Sequence, residues 1–128
     1  MRDLGGTLFL VFLVALGMKF FLFDFMVAEG RSMLPAIRPG TILLVNRVAY
    51  GFKLPWSRQY LVRWAEPSAG DVVVFYTPQG NTAVKRCEKI TENQEIIALG
   101  DNDLESFDSR SYGPIPVDNI LGRVLGIR

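Results

Sequence analysis

The chain opens on an apolar run and then changes character. Leu4 to Met18 carries no charge, and after Lys19 the run resumes as Phe20-Phe21-Leu22-Phe23 before Asp24. From Leu4 to Phe23, at about 1.5 Å per residue, a helix would reach roughly 30 Å, the thickness of a bilayer core. Lys19 falls near one end, where its stem can snorkel to the interface. The pattern predicts a single membrane helix within an anchor segment, 1–27. A cleavable signal peptide competes, because Ala15-Leu16-Gly17 has the small-x-small form of such sites. Against it, the stretch after Gly17 grows more hydrophobic, and Arg2 is offset by Asp3. A buried core helix fits least, since the run has no polar face. Arg2 and the α-amine lie before the run and Arg31, Arg38 and Arg47 after it, so charge leaves the orientation open.

From Ala28 the pattern is that of short strands between turns. Thr41–Asn46, Asp71–Tyr76, Thr82–Arg86, Glu95–Leu99 and Ile120–Leu125 are rich in β-branched residues. Gly, Pro or Asn bounds them: Pro39-Gly40, Ala69-Gly70, Gln79-Gly80-Asn81, Glu92-Asn93 and Gly100-Asp101-Asn102. This predicts an all-β domain of antiparallel strands over 28–128. One hairpin joins Asp71–Tyr76 to Thr82–Arg86, and a second joins Lys85–Thr91 to Glu95–Leu99. Ser57 to Glu66 differs, mixing Arg58 and Arg63 with Tyr60, Leu61, Val62 and Trp64 just after Trp56. That mixture suits either a bilayer surface or a loop that folds its rings onto the core edge.

Composition narrows the chemistry. Net charge is +1 from 14 basic and 13 acidic residues, which gives no reason to expect nucleic acid. The chain has no histidine, so Ser-His-Asp and Cys-His arrangements and imidazole zinc sites are excluded. A hydrolase here must take its base from Lys, Asp, Glu, Tyr or a terminus. With one cysteine, Cys87, no intrachain disulfide can form, and that side chain reads as a small buried residue.

Three clusters could carry chemistry. In Glu29-Gly-Arg-Ser-Met-Leu-Pro35, Ser32 stands on a constrained turn directly after the apolar run. In Val84-Lys85-Arg86, strand alternation sends Ala83, Lys85 and Cys87 to one face and Val84 and Arg86 to the other. Without histidine, Lys85 is the best base candidate. Acting near neutral pH requires the ammonium to be destabilised by about 4 kcal/mol, which an apolar pocket can supply. Arg86 cannot replace it, because it does not deprotonate. The third cluster, Gly100 to Arg110, is a polar loop with four carboxylates. It lacks the Gly and Glu of an EF-hand at their positions, so a structural loop pinned by an Asp108–Arg110 ion pair is the more economical reading.

Taken in order, these clusters resemble the type I signal peptidases, the bacterial leader peptidases. Gly30-Arg-Ser-Met-Leu-Pro35 is similar to the nucleophile box, and Gly40–Asn46 with Tyr50-Gly51 to the strand and loop that follow it. Gly70–Phe75, Val84-Lys-Arg86 and Gly100-Asp-Asn to Asp108-Ser-Arg110 with Gly113 resemble the remaining boxes, so the likeness runs from Glu29 to Val124. The large inserted subdomain of many relatives is absent, Thr41 stands where Asp is usual and Asp103 where Arg is common.

The resemblance implies a β-rich domain on the extracytoplasmic face of the cell membrane that cuts signal peptides from preproteins after a small residue. It implies a Ser32/Lys85 dyad with no metal or cofactor, Ser106 orienting the lysine amine, and Asp108 and Arg110 as a supporting ion pair. The Ser32 backbone N–H would donate to the oxyanion, and Met33, Ile37, Ala83 and Val84 would build the substrate pocket. Gly30 offers no side-chain donor there. The implied partners are preproteins and the lipid bilayer. A specialised maturation protease of the same fold, such as those that process pilins, and an inactive peptide-binding membrane domain are the alternatives.

Overall fold

The computed structural model describes residues 3–54 and 56–126, with the side chain of Phe20 left out. Arg2 and the α-amine, which entered the orientation argument, lie outside the described residues.

Helix α1 spans Leu4–Leu22 and is capped by Asp3, whose carboxylate accepts from Gly5 N–H at 3.1 Å. Such a cap satisfies one of the amides that a first helical turn leaves unpaired. Its apolar side chains face outward all round, Leu8 to Phe12 being 60 to 63% exposed. Among the described residues no helix is long and apolar enough to cross a membrane.

The single membrane-spanning helix expected within the anchor 1–27 is therefore not supported, and after Leu22 the chain leaves the helix, Phe23–Val27 forming strand β1. Phe23-Asp24-Phe25-Met26-Val27 is too short to reveal a period of its own. What decides here is a partner: β1 pairs antiparallel with β2 (Ile42–Asn46) along its whole length, Phe23 opposite Asn46 and Val27 opposite Ile42.

Two short strands follow, β3 (Gly51–Phe52) and β4 (Val62–Arg63), paired as a separate ribbon. Then come β5 (Val72–Tyr76), β6 (Thr82–Ile90), β7 (Glu95–Leu99), β8 (Ile115–Pro116) and β9 (Ile120–Val124). The main sheet has seven strands in the order β1-β2-β9-β5-β6-β7-β8, every neighbouring pair antiparallel. The all-β expectation therefore holds, with both predicted hairpins present as β5–β6 and β6–β7. A four-residue helix, α2 (Ser109–Tyr112), lies between β7 and β8.

β5 explains why a half-exposed alternation is missing from its sequence. Val73 and Phe75 join one core cluster, with Cys87, Ile96, Ile115 and Ile120, while Val72 and Val74 join a second, with Met33, Ile37, Leu43 and Val45. Both faces of the strand are covered, so Val72 to Phe75 are all at most 1% exposed. Each such side chain contributes roughly 1.5–3 kcal/mol of apolar burial. On β6, Ala83 and Cys87 pack with the first cluster and Val84 with the second, as alternation requires.

The aromatic-basic segment divides between its two readings. Tyr60 packs on the core edge and its hydroxyl donates to Ile120 C=O at 3.1 Å. Trp56, Leu61, Val62 and Trp64 remain exposed. Arg58 lies over the Tyr76 ring, 4.3 Å from its centre. The ribbon also touches the end of α1, where the rings of Phe21 and Phe52 stack with centres 5.9 Å apart.

Candidate active site

Gly30 ends the extended chain that follows β1 with φ of 74°, a conformation that side chains with a Cβ disfavour. The backbone then turns over residues 31–37. Leu34 N–H donates to Arg31 C=O at 3.2 Å and Ile37 N–H to Met33 C=O at 2.9 Å. Met33 and Ile37 are buried in the second core cluster, which ties this turn to the sheet. Ser32 rides on it, half-buried, and among the described residues its backbone N–H is given no acceptor.

Lys85 comes from the middle of β6, opposite Val73 of β5, and is 7% exposed. Its Nζ lies 2.9 Å from Ser32 Oγ in a hydrogen bond between residues 53 apart in sequence. Burial pushes the Lys85 amine below its ordinary range, and the negative charge of Asp108 opposes that fall. A hydroxyl at hydrogen-bond distance from an amine of lowered basicity is the arrangement that nucleophile and base require.

Behind this pair, the Gly100–Arg110 loop is organised by Asp108, which is fully buried. Its Oδ2 accepts from Gly100 N–H at 2.8 Å, from Ser106 Oγ at 2.6 Å and from Arg110 Nη2 at 2.5 Å. Its Oδ1 accepts from the Arg110 backbone N–H and Nε, both at 3.0 Å. Burial alone would raise the Asp108 carboxyl, but the donors from Arg110, Ser106 and Gly100 outweigh it and hold the group well below the usual carboxylate range. The Asp108–Arg110 ion pair read from the sequence is thus present.

Ser106 is placed against Asp108. Its hydroxyl donates to Asp108, and among the described residues no hydrogen bond joins it to Lys85. Donating to the carboxylate uses the hydroxyl proton in a charge-assisted hydrogen bond and leaves the hydroxyl oxygen able to accept.

The cleft beside the pair has a volume of about 350 Å³. It is lined by Met26 to Gly30, by Ser32, Met33 and Ile37, and by Thr82 to Lys85. Met33, Ile37, Ala83 and Val84, the pocket residues named from the sequence, all line it. So do Met26 and Val27, which the sequence reading had assigned to the anchor.

Sequence reasoning also missed the residues that fasten the Ser32 turn from behind. Asn102 donates its backbone N–H to Ser32 C=O at 2.8 Å and its Nδ2 to Arg31 C=O at 3.0 Å. Arg31 Nε pairs with Glu105 at 2.8 Å, and Arg86 is held by Asp101 through two bonds of 2.9 and 2.8 Å. Gly100 allows the two loops to meet, since a Cβ there would run into Ser106 and lie 2.7 Å from Ser32 C=O. The only sequence signal was the polarity of the 100–110 loop, which names no partners.

The sequence model of the family described as "Signal peptidase, peptidase S26" matches residues 1–90 and 82–127. Among curated proteins, the chain is 32% identical over 122 residues to a mitochondrial ATP-independent inner membrane protease subunit 1b of Arabidopsis thaliana, covering 77% of this chain and 65% of the relative. It is 39% identical over 75 residues to signal peptidase I of Haemophilus influenzae, covering 58% of this chain and 21% of that one. To signal peptidase I of Bacillus caldolyticus it is 25% identical over 155 residues, covering 91% and 85%. The chain thus spans less than two thirds of the length of the first two, 65% and 21%. With the family match running over both the Ser32 turn and the Gly100–Arg110 loop, the chain belongs to the signal peptidase family, peptidase S26.

Proposed function

We propose that this chain is a membrane-bound serine endopeptidase that removes N-terminal signal peptides from exported preproteins, with Ser32 as nucleophile and Lys85 as general base. The observation that carries the reading is the 2.9 Å separation of Ser32 Oγ and Lys85 Nζ in the lining of a cleft, with burial favouring the neutral amine. In the reactive form the Ser32 hydroxyl donates to neutral Lys85. The amine takes the proton as Oγ attacks the carbonyl carbon of the scissile bond, and the Ser32 backbone N–H donates to the developing oxyanion. The ammonium then protonates the leaving amine. Water, deprotonated by Lys85, hydrolyses the acyl-enzyme and regenerates Ser32.

The preprotein lies extended in the cleft, its small side chains on the floor made by Met33, Ile37, Ala83 and Val84. Asp108 is a positioning residue that organises Gly100, Ser106 and Arg110 behind the dyad. Ser106 acts through that carboxylate.

Anchoring by α1 on the extracytoplasmic side of the cell membrane belongs to the same proposal. The exposed apolar side chains of α1 support contact with lipid, without a span of the bilayer. The assay is cleavage of a preprotein in detergent by the intact chain and by Ser32→Ala and Lys85→Ala. Loss of at least about a thousandfold in each is expected, and full activity in either would sink the dyad.

A further inference from the structure

Of the residues lining the cleft, only Glu29 and Lys85 carry charge. Glu29 stands on its lip, exposed, whereas its neighbour Ala28 is buried. Among the described residues Glu29 makes no hydrogen bond or ion pair. The nearest cation in sequence, Arg31, is turned to Glu105, and its carbonyl is held by Asn102. Arg31 is therefore not available to neutralise Glu29. Lys85 must be neutral to act as base, so in the reactive form Glu29 is the one charge on the lining.

An extended peptide points successive side chains in opposite directions. When the small residue at the cleaved bond lies on the apolar floor, the residue before it points out toward the lip.

We propose that Glu29 is a specificity-determining residue, selecting extended peptides with Lys or Arg immediately before the small residue at the cleaved bond. This rests on the protease reading above. An exposed carboxylate–cation contact favours the basic peptide by about two- to fivefold, and the preference shrinks as salt is raised.

The test uses three peptides that share Ala at the cleaved position and carry Lys, Gln or Glu just before it. Their kcat/KM values are measured with the full chain in detergent, and their affinities with full-length Ser32→Ala by fluorescence anisotropy. The order Lys, Gln, Glu is expected in both readouts, flattened in Glu29→Gln and reversed in Glu29→Lys. Because each preference is a ratio within one variant, a general loss of folded protein cancels. Cleavage of all three peptides at equal rates would overturn the charge preference and leave the protease reading standing. Graded binding to Ser32→Ala without cleavage by the intact chain would overturn the protease reading and keep the preference. Neither binding nor cleavage overturns both.

Discussion

Replacing Asp108 by Asn changes one oxygen to NH₂ at nearly constant volume, in the most densely hydrogen-bonded position behind the dyad. The carboxylate accepts five bonds, two of them from the guanidinium of Arg110. That side chain is 42% exposed and can return to water, so it is left out of the sum. The three remaining donors are Gly100 N–H, Ser106 O–H and Arg110 N–H. The amide oxygen of Asn can keep the first two, each weakened by about 1 kcal/mol when the acceptor loses its charge. The new NH₂ then faces the Arg110 N–H, which costs about 1–3 kcal/mol for a donor left unpaired. The variant is expected to be destabilised by about 3–5 kcal/mol at pH 7, lowering Tm by about 10 °C or more for a domain of this size.

Denaturant unfolding followed by circular dichroism measures it, and pH supplies an internal control. The Asp108 carboxyl is held below its ordinary value, so its contribution is fully present above that value, near pH 4. It is lost as pH falls toward the lower folded value, while the Asn variant has nothing to titrate there. The gap between the two proteins must therefore narrow below about pH 4. A gap under about 1 kcal/mol at pH 7, or one that stays constant into acid, would refute the reasoning.

Two further outcomes follow from the same geometry. The rate of acylation should rise with pH along a limb that lies below the ordinary lysine range, because only neutral Lys85 accepts the proton and burial lowers its pKa. Asp108→Asn should move that limb to still lower pH, since the charge it removes favours the ammonium; an unmoved limb in single-turnover kinetics would show that Asp108 does not reach Lys85. Gly100→Ala should abolish cleavage and lower Tm together, because its Cβ would collide with Ser106 and crowd Ser32 C=O. A folded Gly100→Ala enzyme with normal turnover would mean that the two loops need not meet as described.

Much of this molecule is written locally. Short β-branched runs between Gly, Pro and Asn turns are enough to mark β2, β5, β6, β7 and β9, since strand and turn preferences act within a few residues. The absence of histidine is likewise a property of composition, and it directs attention to Lys85 before any geometry is known. The order of the boxes around Ser32, Lys85 and Asp108 carried the family. The strand after α1 was not legible, because Phe23–Val27 is too short to show a period of its own and becomes a strand only when β2 supplies its hydrogen bonds. Nor was the partner of Ser106, because a hydroxyl donates to whichever acceptor is in reach and only packing brings Asp108 there.

What the sequence alone determined, then, is the all-β class, the turns and the residue types available for chemistry. The tertiary structure decided which of them meet: that Lys85 reaches Ser32 across 53 residues of chain, that Asn102 holds the Ser32 turn, and that Glu29 lines the same cleft as Lys85. Local preference can shape a strand or a turn, but contacts between distant segments exist only once both faces of β5 are buried and the sheet fixes every loop in place.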